Sequence, residues 1–107
     1  MNVPISGSRL ALGLLALFAA GAHAQTASSA LHLRSLVATC ASCHGTDGRA
    51  VAGEAMVALR GQSQADIVAK MSGCQDGTRP ATVMHQLAKG YTPEQIEHIA
   101  AYFAAQK

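Results

Sequence analysis

The chain has 107 residues, 50% of them hydrophobic and only 13% charged, with a net charge of +2 at neutral pH. Its Lys and Arg residues form no basic cluster interleaved with aromatics, which excludes nucleic acid as a partner. No apolar run reaches the length of about 18 residues that a membrane span needs, and with no Trp, two Phe and two Tyr a core of side chains alone would be thin.

Residues 1–24 read as a secretory leader. Met1 to Arg9 is a short n-region with one positive charge, Leu10 to Ala20 is an apolar stretch, and Ala22-His23-Ala24 fits a small-x-small cleavage site. Cleavage after Ala24 leaves one small domain, near neutral in charge, in a bacterial periplasm. A domain of that size buries only roughly 60% of the surface its unfolded chain exposes, so it needs a staple.

Gln25 to Ala30 is small and polar and reads as a flexible lead-in to a domain covering 31–107. Leu33, Leu36, Val37 and Cys40 recur at helical spacing and predict a first helix from about Ser29 to Ser42. Its end carries Cys40-Ala41-Ser42-Cys43-His44, a C-x-x-C-H run. On a helix the two thiols and the imidazole fall at i, i+3 and i+4 and share one face. That arrangement lets two thiols add to the vinyl groups of one porphyrin while the imidazole meets its iron, so the run is the attachment signature of c-type haem. A covalent haem would also be the missing staple. Two other readings of C-x-x-C compete with it. A redox dithiol would need a βαβ context, which the pattern lacks, and a structural zinc would need a fourth ligand such as Cys74.

Gly45 to Gln62 shows no period-2 alternation and reads as an irregular loop. Ser63 is placed as the N-cap of a helix with Asp66 in its first turn and Ile67, Val68 and Met71 on its buried face; Gly73 and Gly77 are expected to break it. A short apolar segment from Thr82 to Lys89 follows Arg79-Pro80, with Gly90 as its C′ residue. Thr92-Pro93-Glu94-Gln95 is the strongest cap in the chain, and Ile96, Ile99, Ala100 and Phe103 then line one helix face. The expected fold is all-α, three longer helices plus a short one, with no internal repeat.

A haem iron beneath His44 needs a sixth ligand or an open site. Met56, Met71, Met84, His32, His85 and His98 are the candidates. Met71 shares a helix face with Ile67 and Val68, as a core residue would, and His98 sits on the outer face of the last helix. Met84, in the stretch after Arg79-Pro80, is the preferred ligand, because Met/His ligation raises the potential and suits electron transfer. His85 is the alternative and would give bis-His iron.

The order of these features resembles that of class I c-type cytochromes, over about Leu31 to Phe103. Arg79-Pro80-Ala81-Thr82-Val83-Met84-His85, Ala88-Lys89-Gly90-Tyr91-Thr92 and Ile99-Ala100-Ala101-Tyr102-Phe103 are similar to the haem subunits of flavocytochrome c sulfide dehydrogenases. The resemblance implies one covalent haem c on Cys40 and Cys43, with His44 the proximal and Met84 the distal axial ligand of the iron. It also implies first and last helices packed at Leu36 and Tyr102 or Phe103, and a redox partner protein such as a flavoprotein sulfide dehydrogenase subunit. Two positions depart from it. Relatives read Ile-Pro-x-Leu-x-Gly-Gln where this chain has Met56 to Gln62, which leaves open what contacts His44. They carry an aromatic where Cys74 stands, so Cys74 is expected to be a buried free thiol. The expected function is single-electron transfer, by a subunit of a sulfide-oxidising flavocytochrome or by a freely diffusing carrier. A ligand-binding or peroxidase-type haem protein with an open distal site is the remaining alternative.

Overall fold

A computed structural model describes the backbone of residues 8–53 and 55–107, and the side chains of this range from Gln25 onward. The side chains of the expected leader, residues 1–24, lie outside the described residues. Among the described residues four α-helices are present: α1 Ser8–His44, α2 Gln64–Asp76, α3 Met84–Leu87 and α4 Pro93–Ala104. There is no strand among the described residues, so the architecture is all-α, as the pattern of apolar residues predicts. The chain divides into two compact units, residues 1–32 and 33–107, and the second holds the core and the candidate site described below.

Helix α1 starts well before Ser29, and the backbone of residues 25–30, read as a lead-in, is helical. Gln25, Ala27 and Ala30 favour helix there, Ser29 Oγ donates to the Thr26 carbonyl at 2.9 Å, and the side chains of this stretch stay exposed. At its other end α1 runs two residues beyond Ser42 and stops at Gly45, whose φ of 79° suits glycine.

Helix α2 begins as expected, with Ser63 Oγ accepting from the Asp66 N–H at 3.1 Å. Gly73 does not break it. The helix continues to Asp76 and ends at Gly77, which is left-handed with φ 81°. Gly73 instead permits a close approach: the chain turns back over it, Arg79 N–H donates to its carbonyl at 2.9 Å, and a Cβ at Gly73 would lie 3.1 Å from the Arg79 Cβ. The Thr82–Lys89 segment is one α-turn, α3, followed by a 3₁₀ turn over Ala88–Gly90. Gly90 therefore lies inside that turn and is no C′ cap; its φ is not positive.

Helix α4 has the full reciprocal cap. Thr92 Oγ1 accepts from Gln95 N–H at 3.2 Å, and Gln95 Oε1 accepts from Thr92 N–H at 2.9 Å. Replacing Thr92 by Ala is expected to cost about 1 kcal/mol, measured as a lower urea midpoint with an unchanged slope.

The core of the second unit joins three helices. Val37 of α1, Ile67 of α2, and Ile99, Ala100 and Phe103 of α4 form one buried cluster, with Leu33, Leu36, Leu59, Met71 and Tyr102 packed against it. Val37 thus takes the inner place on α1, with Leu36 half-buried beside it, and Met71 is a core residue as expected. The loop after α1 is pulled onto this core at Gly48. Its φ is 71°, and a Cβ there would lie 2.8 Å from Leu59 Cβ and 2.9 Å from Phe103 Cδ1. The Gly48 carbonyl accepts from both Leu59 and Arg60 N–H, at 2.9 and 3.1 Å, which returns the loop to the end of α1.

Candidate haem site

Cys40, Cys43 and His44 occupy the last turn of α1, where their spacing puts them on one face. Cys40, Cys43 and Cys74 form no disulfide with one another. Cys40 is half-buried, and burial pushes its pKa up, an effect the Thr39 hydroxyl opposes and the neighbouring Cys43 reinforces. Cys43 is exposed.

His44 Nδ1 lies 2.7 Å from the carbonyl oxygen of Val57. A carbonyl can only accept, so Nδ1 carries the proton and Nε2 presents its lone pair to a metal. This is the outer contact by which proteins orient a metal-binding imidazole. It depends on a backbone oxygen alone, so Val57 serves where relatives have Pro. The start of the loop that supplies it is held at two points. Ala50 N–H donates to the His44 carbonyl at 2.8 Å. Tyr102 of α4 donates its hydroxyl to Asp47 Oδ1 at 2.6 Å, and that bond, ahead of burial, raises the Tyr102 pKa.

Met84 opens α3 and is half-buried. The segment it belongs to is tied to α1 by the Tyr91 hydroxyl, 2.8 Å from Thr39 Oγ1, one residue before Cys40. His85 is also half-buried, and its Nδ1 is enclosed without a hydrogen-bond partner. His98 and His32 are exposed. Cys74 is 5% exposed on α2, as a small apolar replacement for an aromatic would be.

The residues present fit a haem. Two thiols and a metal-ready imidazole share one helix turn. Beside His44 lie Met56 and Val57, and beside Met84 lie Val83 and Leu87, all four exposed apolar side chains that a flat hydrophobic group would cover. The competing readings find less support. Among the described residues no three His, Cys, Asp or Glu side chains converge as metal ligands, so Cys74 completes no zinc set with Cys40, Cys43 and His44. Thr39 and Gln75 emerge as site-forming residues that the pattern of the sequence did not single out, Thr39 through the Tyr91 hydroxyl and Gln75 through the Ala88 and Tyr91 carbonyls; these contacts join positions far apart in the chain, and no local periodicity reports them.

An all-α domain with a C-x-x-C-H turn closing its first helix, a Met-bearing turn and a capped last helix is the build of a c-type cytochrome. The cytochrome c family model matches residues 34–107. The chain is 42% identical over 65 residues to the cytochrome subunit of sulfide dehydrogenase of Chlorobaculum tepidum, covering 61% of this chain and 57% of that one. It is 36% identical to cytochrome c-554(548) of Halomonas halodenitrificans, over 66% of this chain and 88% of the relative. To cytochrome c4 of Pseudomonas aeruginosa it is 35% identical over its whole length, which is 50% of that protein. The chain thus spans little more than half the length of the first and third of these relatives. It belongs to the cytochrome c family. Its cofactor is covalently bound haem c, as throughout the family. No helix among the described residues is long and apolar enough to cross a membrane.

Proposed function

We propose that Cys40 and Cys43 carry the haem through two thioethers, with His44 Nε2 and the Met84 sulfur as axial ligands, and that the protein works in the periplasm as the haem subunit of a sulfide-oxidising flavoprotein. The observation that carries the site is the Val57 carbonyl on His44 Nδ1, since it selects the tautomer an iron ligand needs. Bound haem supplies a one-electron iron couple. With haem bound, the Val57 carbonyl would orient the His44 imidazole, Met84 would offer a soft thioether, and His44 and Met84 together would shield the iron from solvent.

The periplasmic reading follows from residues 1–24 as an export leader removed after Ala24. The partner reading draws on the identity with the Chlorobaculum subunit, which is named for sulfide dehydrogenase. It is consistent with the low charge of the chain. A contact of that kind gains from apolar burial more than from charge steering.

Two measurements test this. Denaturing mass spectrometry of protein from an exporting host should show a chain beginning at Gln25 plus one haem; a haem lost to acid–ketone extraction would refute the thioethers. Stopped-flow reduction by a flavoprotein sulfide dehydrogenase subunit should depend only weakly on ionic strength, with the two proteins co-purifying. A steep fall in the bimolecular rate with salt, and no stable complex, would make the chain a diffusing carrier instead.

A further inference from the structure

We propose that Gln75 is a positioning residue that holds the Met84 segment in place; the proposal rests on Met84 as the distal ligand. Helix α3 is a single turn of four residues, too short to hold itself, because helix nucleation is costly and one turn recovers little of the cost. Its N-cap, Val83, makes no side-chain cap. Whatever fixes Met84 must therefore come from outside the turn.

The contacts that do so form one connected series. The Met84 carbonyl accepts from Ala88 N–H. The Ala88 carbonyl accepts from Tyr91 N–H at 3.2 Å and from Gln75 Nε2 at 2.8 Å. The same Gln75 nitrogen lies 2.9 Å from the Tyr91 carbonyl. One side-chain amide, using both of its hydrogens, thus clasps the start of the 3₁₀ turn and the residue after it. Ala88, at the centre of this series, is completely buried. Gln75 adds a second donor to the Ala88 carbonyl and one to the Tyr91 carbonyl, both from α2, which is capped at both ends.

The series closes on α1. Thr39 Oγ1 donates to the Leu36 carbonyl at 2.8 Å, so its hydrogen is spent and the Tyr91 hydroxyl is the donor in the 2.8 Å contact between them. Gln75 and Tyr91 together link the Met84 turn to α2 and to the helix that bears Cys40 and Cys43. Losing them would let Met84 leave the iron more readily without unfolding the domain.

The test uses the haem-loaded protein and exogenous imidazole, which competes with the thioether for ferric iron. Gln75→Glu keeps the shape and removes both donors. Its apparent imidazole affinity should rise about 10–100-fold, the factor that two ordinary hydrogen bonds amount to, and the thioether–iron charge-transfer band should weaken. Gln75→Lys, which restores donors, should return most of the wild-type resistance. Gln64→Ala removes a different contact of α2, the 2.9 Å bond from Gln64 Nε2 to Glu97, and should leave imidazole binding unchanged. Tyr91→Phe cuts only the Thr39 contact and should raise the affinity severalfold; it decides the matter if Gln75→Glu yields no holoprotein. Wild-type imidazole affinity in Gln75→Glu, or in Tyr91→Phe when that variant decides, or an equal rise in Gln64→Ala, would overturn the proposal. A Met84→Ala variant that keeps the charge-transfer band would instead overturn the ligand assignment beneath it.

Discussion

Met84→Ala is expected to abolish the thioether–iron charge-transfer band, open the ferrous iron to carbon monoxide and lower the reduction potential by on the order of 0.1 V or more, within the roughly 0.8 V that axial ligation spans. The direction follows from the donor. A neutral, soft thioether favours ferrous iron, so its loss leaves the ferric state relatively better stabilised. Met84 stands at the first position of a turn held from outside by Gln75 and Tyr91, so alanine there removes a ligand without removing the scaffold. His85 is not expected to replace it. Neighbouring residues on a helix point about 100° apart, and the His85 Nδ1 is already enclosed. A variant with bis-His spectra that binds no carbon monoxide would show His85 to be the alternative ligand after all, and an unchanged spectrum would move the role elsewhere.

Phe103→Ala is expected to lower the stability of the holoprotein by about 3–5 kcal/mol, a large part of the 5–15 kcal/mol typical of a whole domain. Phe103 is 1% exposed and is the largest fully buried side chain. It stacks edge-on against Tyr102 with ring centroids 5.2 Å apart, and it is one of the two side chains against which Gly48 is tightly fitted. Few other aromatic rings are available in this sequence to refill the space. The consequence extends to the site. Gly48 returns the loop that carries Val57 to His44, so a cavity at Phe103 should also weaken the hold on the proximal imidazole. Urea denaturation followed by the haem absorption band measures both effects; a loss below about 1 kcal/mol would mean that the haem, rather than Phe103, carries the packing at this point.

The lone Cys74 illustrates how a departure from the family pattern resolves in three dimensions. It stands where relatives carry an aromatic, and it is buried on α2 next to Gln75, the residue that clasps the Met84 turn.

Much of the chemistry was legible from residue order, because it depends on local spacing. C-x-x-C-H on a helix places three side chains on one face whatever the rest of the chain does, and Thr92-Pro93-Glu94-Gln95 closes its cap within four residues. The apolar positions Ile67, Ile99, Ala100 and Phe103 were equally plain from period 3.6. What only the tertiary structure decided are the contacts between distant segments. Gly73 looked like a break because glycine disfavours helix, yet tertiary contact with Arg79 overrides that preference. The departure at Val57 left the His44 contact open, since a backbone carbonyl is available at every residue and only the fold determines which one meets the imidazole. Gln75 bears no motif at all. Its amide acquires a role only because α2 packs beside the turn that follows Met84, and sequence periodicity, which reports the face a residue occupies, is silent about the partner that face will meet.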